Sequence, residues 1–215
     1  MNNREKEIIG LAKDYAKELL DGDSGGHDFW HTIRVYNLAE TIAENEDCNI
    51  FLVELGSLLH DVDDPKIFGG VKGEFPNAIK FMAEQGMDKE TVDRVCQIID
   101  DTYYRKDKGE IDTVEGKIVW DADCLDMIGA IGIARTFAFG GSQGRAIYNP
   151  DISPGDDVIE DLKSDRASTI NYFYERLLKV KNDMQTATAK KIAKQRHEFI
   201  ELYLQEFLSE WDGTK

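Results

Sequence analysis

The 215-residue chain sets 42 acidic residues against 26 basic ones, a formal net charge of −16, with 41% hydrophobic residues. That is a globular balance with a strongly acidic surface, which repels nucleic-acid phosphates and argues against duplex binding. No run reaches the roughly 18 apolar residues of a membrane span, and the N-terminal MNNREKEIIGLAKDYAKELL lacks the apolar segment of a signal peptide. Cys48, Cys96 and Cys124 are irregularly spaced with no C-x-x-C pair, which speaks against a disulfide framework or a thiolate zinc site. They are expected to be buried free thiols in a reducing cytosol, and the protein is expected to be cytoplasmic.

Apolar residues recur at helical spacing almost throughout. Ile8, Leu11, Ala12, Tyr15, Leu19 and Leu20 share one face of a helix expected over residues 3–20, and the Gly/Asp-rich residues 21–26 break it. Trp30, Ile33, Val35, Leu38, Ile42 and Ala43 continue the pattern from about 27 to 44. A helix near 50–62 is almost wholly apolar (FLVELGSLL) and should be the buried central one. It runs into His60 and Asp61, and Pro65 is expected to stop it. Gly69, Gly70 and Gly73 mark a loop, helices follow near 76–85 and 88–104, and RKDKGEID reads as a polar turn. A helix over 114–128 and a glycine-spaced one to about 140 come next. Residues 142–166 have the Gly, Pro and Asp content of a long mobile loop and are expected to act as a lid. Two long helices, near 167–182 and 185–211, close the chain. Few stretches alternate as strands do, so the expected fold class is all-α.

Chemistry concentrates in HDFWHTIRVYNLAETIAENEDCNIFLVELGSLLHDVDD, residues 27–64, which holds three of the four histidines. His27 and His31 are spaced to sit one turn apart on a helix. His60 and Asp61 lie about 100° apart at a helix end, with Asp64 one turn further on. Asp121, Asp123 and Asp126 line a later helix. Carboxylates buried beside apolar helices are costly unless a cation or hydrogen bonds compensate, and no basic residue adjoins Asp61 or Asp123. A divalent metal compensates well. Mixed imidazole and carboxylate donors suit Mn²⁺, Fe²⁺, Co²⁺, Ni²⁺ or Zn²⁺, whereas Mg²⁺ usually prefers oxygen alone.

The quartet His31…His60-Asp61…Asp123 resembles the H…HD…D signature of the HD-domain superfamily of metal-dependent phosphohydrolases. The flanks HxxRV at residues 31–35, LLHD at 58–61 and ADxLD at 122–126 match as well. STINYFYERLL and AKKIAKQRHEFIE resemble the stand-alone bacterial branch, so the likeness spans nearly the whole chain. It implies an HD-domain helical bundle with two long C-terminal helices. Residues 1–215 would form one domain, with the metal-site core at about 20–130 and helices 167–212 packed on it. It further implies one divalent metal ion (Mn, Co, Ni, Fe, Zn or Mg) held by His31, His60, Asp61 and Asp123. Many phosphohydrolase members carry an acid four positions after the HD histidine. Here that is Asp64, shorter than the more frequent Glu, expected to orient the metal-bound hydroxide or shuttle its proton. Two-metal branches use extra histidines between the HD pair and the final Asp, and this chain has none from Asp61 to Ala122. One metal is therefore expected.

A phosphate substrate needs positive charge at its outer oxygens. His27, Arg34, Lys66, Arg135 and Arg145 are the candidates, against structural readings for each: helix orientation through Asp28 for His27, ordinary salt bridges for the others. Asp121 is expected behind the metal ligands or facing solvent, with contact to the metal as the lesser alternative, Asp126 in a helix contact, and His197 at the surface or in packing. Trp30, Phe68, Phe75, Tyr103, Tyr104 and Tyr148 could line a base pocket. The expected function is hydrolysis of a phosphate ester or anhydride by a metal-bound hydroxide. By resemblance the substrate is a nucleotide, which would make the protein a nucleotidase or a nucleoside triphosphate pyrophosphohydrolase. The alternatives are a non-catalytic metal-binding regulatory or ligand-sensing module, and a cyclic-nucleotide phosphodiesterase. The expected partner is a small phosphorylated substrate rather than nucleic acid or membrane, and a homodimer is left open.

Overall fold

The computed structural model describes residues 1–21, 28–71, 73–103, 111–152 and 168–215, and among these every regular element is helical. The all-α expectation holds. The chain forms two compact units, Met1–Asp123 and Cys124–Lys215.

The first unit contains α1 (Asn3–Leu20), α2 (Phe29–Ala43), α3 (Ile50–Leu59), α4 (Pro65–Phe68), α5 (Pro76–Glu84), α6 (Lys89–Asp101) and most of α7 (Val114–Asp126). Its centre is α3, in which every residue from Leu52 to Leu59 is buried. A helix apolar on all sides has no solvent face to offer, and α3 accordingly packs against α1, α2 and α6. The Asn49 side chain caps its start by accepting from the Phe51 and Leu52 amides. The Asn49 N–H in turn donates to the Glu115 carboxylate at 2.8 Å.

The far end of α3 differs from expectation. The helix stops at Leu59, and residues 60–64 fold into a tight turn, with the Asp64 N–H donating to the Asp61 carbonyl at 3.1 Å. Pro65 opens α4 instead of ending α3, because a first helical position needs no N–H and suits a fixed φ. α2 also starts later than its apolar spacing suggested. Asp28 is its cap, and the Asp28 carboxylate accepts the His31 amide at 2.7 Å.

The second unit contains α8 (Gly129–Ser142), α9 (Thr169–Glu175), a 3₁₀ segment (Leu177–Asn182) and α10 (Ala187–Trp211). The first of its two C-terminal helical stretches is divided at Arg176, which leaves helical geometry at φ −123, ψ −61. Phe173 stacks on Tyr203 at a centroid distance of 5.9 Å, and Phe137 packs on both. Cys124 is buried, but Cys48 and Cys96 are only half-buried, so the expectation of three buried thiols holds for one. No single helix among the described residues is long and apolar enough to cross a membrane.

Close approach of α3 and α6 depends on Gly56. A Cβ there would stand 2.6 Å from Ile98 Cγ2 and 3.3 Å from Ile98 Cβ. Alanine normally gains about 0.5–1 kcal/mol over glycine inside a helix, while overpacking a filled core costs about 1–3 kcal/mol. Gly56→Ala should therefore lower the unfolding free energy in urea. A variant more stable than the wild type would contradict this packing.

Candidate metal centre

Three elements of the first unit bring the predicted ligands together: His31, His60 and Asp61 form one mutual cluster, and Asp123 adjoins it through His31. The first turn of α2 presents His31, the end of α3 presents His60 and then Asp61, and α7 presents Asp123. The two imidazole rings meet edge to face, with centroids 5.4 Å apart and planes at 67°. His31 Nε2 lies 3.5 Å from Asp61 Oδ2 and 3.3 Å from Asp123 Oδ1, and His60 Nε2 lies 3.3 Å from Asp61 Oδ2. Such separations are long for N–H···O bonds, which cluster at about 2.9–3.0 Å. They match donors arranged around a common atom. Two ligands each about 2.1 Å from a cation, at octahedral or tetrahedral angles, stand about 3.0–3.4 Å from each other. The ligand atoms of His31, His60 and Asp61 all lie within 4.8 Å of one another.

The tautomer of His60 is set locally. Its Nδ1 is 2.7 Å from the Ser57 carbonyl, which can only accept, so Nδ1 carries the hydrogen and Nε2 can present its lone pair. Burial drives the His60 pKa down, but the charge and hydrogen bond of Asp61, the charge of Asp123 and the Ser57 carbonyl outweigh it. The result is a rise to about 9. For the Asp123 carboxyl, burial acts upward, yet the His31 hydrogen bond and the His31 and His60 charges hold it below its ordinary value. The Asp123 side chain remains 24% exposed while Asp61 is buried, so the cluster reaches solvent on the Asp123 side.

Asp64 closes the 60–64 turn and is buried. Asp121 is fully buried, which removes the solvent-facing alternative. Tyr103 follows α6. Burial raises its phenol pKa, and the charges of Asp64, Asp61, Asp63 and Asp123 raise it further. Arg34 is half-buried on α2, one turn after His31. His27 lies outside the described residues, so its pairing with His31 on one helix is not carried forward; of Lys66 only the backbone, in α4, is described. Arg135 and Arg145 belong to the second unit. Arg135 donates to the buried Asp126 carboxylate at 2.7 Å, the helix contact expected of Asp126. The Arg145 guanidinium lies 6.0 Å from the Phe139 ring and 5.9 Å from Tyr172, cation–π distances. His197 is a packing residue, buried, 2.5 Å from Lys181 Nζ and 3.1 Å from Glu201 Oε1.

Trp30 is 64% exposed, Phe75 is in the core, and Tyr148 packs edge-on against Phe207 and Trp211 in the second unit. Phe68 is 39% exposed, and Tyr104 lies outside the described residues. Sequence reasoning missed Ser57, because it acts through a backbone carbonyl that any residue could supply.

An all-α unit whose buried central helix ends in His-Asp, facing a second histidine and a later aspartate, defines an HD-type metal-binding fold. Comparison with known proteins agrees: residues 29–128 match the HD domain family, and the chain belongs to that family. It is 35% identical to YpgQ of Bacillus subtilis (strain 168) over 192 residues, 87% of this chain and 86% of that one. An HD-superfamily hydrolase from Bacillus thuringiensis is similar in structure with a TM-score of 0.79 and 36% identity, covering 97% of this chain and 98% of that one. The crystal structure of B. subtilis YpgQ in complex with ADP is similar with a TM-score of 0.74 and 32% identity, over 96% of both chains. The family implies divalent metal binding, and the His-His-Asp cluster suits it.

With no cation bound, His60 keeps its proton up to about pH 9. A metal at Nε2 must expel that proton, so affinity should fall about tenfold per pH unit below about pH 9. Calorimetry in buffers of differing ionisation enthalpy should read close to one proton released near neutrality. In the metal-free protein the raised pKa contributes stability that is complete below about pH 6.5 and is lost as pH rises through about 9. A metal affinity independent of pH across that window would place the cation away from His60.

Proposed function

We propose that the chain is a mononuclear metal-dependent phosphohydrolase acting on a nucleotide. The observation that carries this reading is the cluster of His31, His60 and Asp61, with Asp123 beside His31, at 3.3 to 3.5 Å between facing atoms and largely buried. His31 and His60 would hold the cation through Nε2, and Asp61 and Asp123 through carboxylate oxygens. A divalent ion bound there supplies Lewis acidity, lowering the pKa of a coordinated water toward neutrality and screening phosphate charge.

The protein's own groups supply the rest. Asp64, buried at the close of the same turn, orients the attacking water and takes its proton. The Ser57 carbonyl keeps the His60 ring in the required tautomer. Within the first unit Arg34, Lys66 and His27 are the groups proposed to meet phosphate oxygens, where positioning and charge do most of the catalytic work. Arg135 would have to loosen its bond to Asp126 before touching a substrate, and Arg145 would have to leave its aromatic neighbours. ADP bound to the related YpgQ supports a nucleoside phosphate as the substrate class, either a nucleotidase or a triphosphate pyrophosphohydrolase substrate.

Metal-loaded protein (Mn²⁺, Mg²⁺, Co²⁺ and Ni²⁺ in turn) should release phosphate or pyrophosphate from one member of a nucleotide panel. Asp64→Asn should retain the metal and lose about 10²–10⁴ in rate. Metal and nucleotide binding without turnover of any compound would assign a ligand-sensing module instead. Turnover confined to cyclic nucleotides would assign a phosphodiesterase.

A further inference from the structure

We propose that Asp63 is a positioning residue for the metal centre: by capping α5 from the 60–64 turn, it sets where His60 and Asp61 stand. The inference rests on the metal-binding reading above. The turn's own backbone bonds, such as Asp64 N–H to the Asp61 carbonyl, are few, and contacts outside it help to hold its side chains in place. α5 begins with Pro76, which lacks an N–H, and the preceding Phe75 offers no capping side chain. The Asn77 and Ala78 amides at the start of α5 therefore need acceptors from elsewhere. Asp63 supplies both, its Oδ1 accepting from Asn77 N at 2.9 Å and its Oδ2 from Ala78 N at 2.9 Å.

The tie is reciprocal. Asn77 Nδ2 donates to the Val62 carbonyl at 2.8 Å, and the Asn77 carbonyl accepts from the Tyr15 hydroxyl of α1 at 3.1 Å. Asp63 is buried, and its carboxylate sits at the favourable end of the α5 dipole. Charge-assisted bonds of this kind are stronger than neutral ones, and a buried carboxylate stripped of its donors is costly. The turn cannot rotate without giving up both bonds. Its acids are thereby sorted: Asp61 faces the two imidazoles, while both oxygens of Asp63 face α5 and are unavailable to a metal.

Titration of Co²⁺ into folded variants tests this. Asp63→Asn keeps the side-chain volume but turns one acceptor into a donor facing an N–H. It should weaken Co²⁺ binding about 10–100-fold, as loss of a partner behind the ligands does, and change the visible absorption of the bound ion. Asn77→Ala, which removes only the Val62 bracket, should shift both readouts in the same direction by less. Asp88 caps α6 in the same way, accepting the Thr91 amide at 3.0 Å, with no link to the turn. Asp88→Ala should lower the melting temperature and leave Co²⁺ affinity unchanged. Wild-type affinity and spectrum in both Asp63→Asn and Asn77→Ala would overturn the proposal. Should Asp63→Asn not fold, Asn77→Ala decides by the same two readouts. Failure of the wild type itself to bind Co²⁺ would defeat the metal reading, and this inference with it, before any variant is compared.

Discussion

Negative charge removed from water must be matched by positive charge nearby, and that requirement governs the end of α3. Asp61 and Asp64 are buried there, where the helix dipole is itself negative. Two mutually repelling sources of negative potential thus share one small volume. A proton on His60, whose pKa is raised to about 9, offsets part of that charge in the metal-free protein. A divalent cation balances them better, because it brings twice the charge and accepts the imidazole lone pairs as well as the carboxylates. The same imbalance that would destabilise an ordinary core makes this one a receptor for metal.

The first unit serves that site by rigidity. Asn49 and Glu115 anchor one end of α3, and apolar packing against α1, α2 and α6 fixes its length. The other end then presents His60 with its Nδ1 held by the helix's own Ser57 carbonyl. Asp28 does comparable work for His31, pinning its backbone in the first turn of α2. The His60 ring and the His31 backbone are thus held by bonds that belong to helix ends.

The second unit has its own logic. Its buried Asp126 is matched directly by Arg135, and the Arg196 guanidinium donates to the Leu125 carbonyl at 2.5 Å. An acid paired with a guanidinium has no deficit left for a metal. That contrast with Asp61 and Asp123, each facing an imidazole, separates a structural carboxylate from candidate ligands within a few residues of α7.

Helices were legible in the sequence because their apolar periodicity is a local property, written between residues three and four apart. Their ends were less so. α3 stopping at Leu59, α2 starting at Phe29 and the division at Arg176 depend on caps and turn bonds that several sequences could satisfy. The quartet of His31, His60, Asp61 and Asp123 was legible through resemblance, while spacing alone left Asp121 and Asp126 in contention. What the chain determined by itself, then, is an all-helical fold and a set of acids and imidazoles in want of a cation. Only the tertiary structure decided that His31 meets Asp61 and Asp123, that Asp63 turns toward α5, and that Asp126 belongs to Arg135. Those choices depend on how separate helices are placed in space, and a bond between residues far apart in sequence leaves no periodic trace along it.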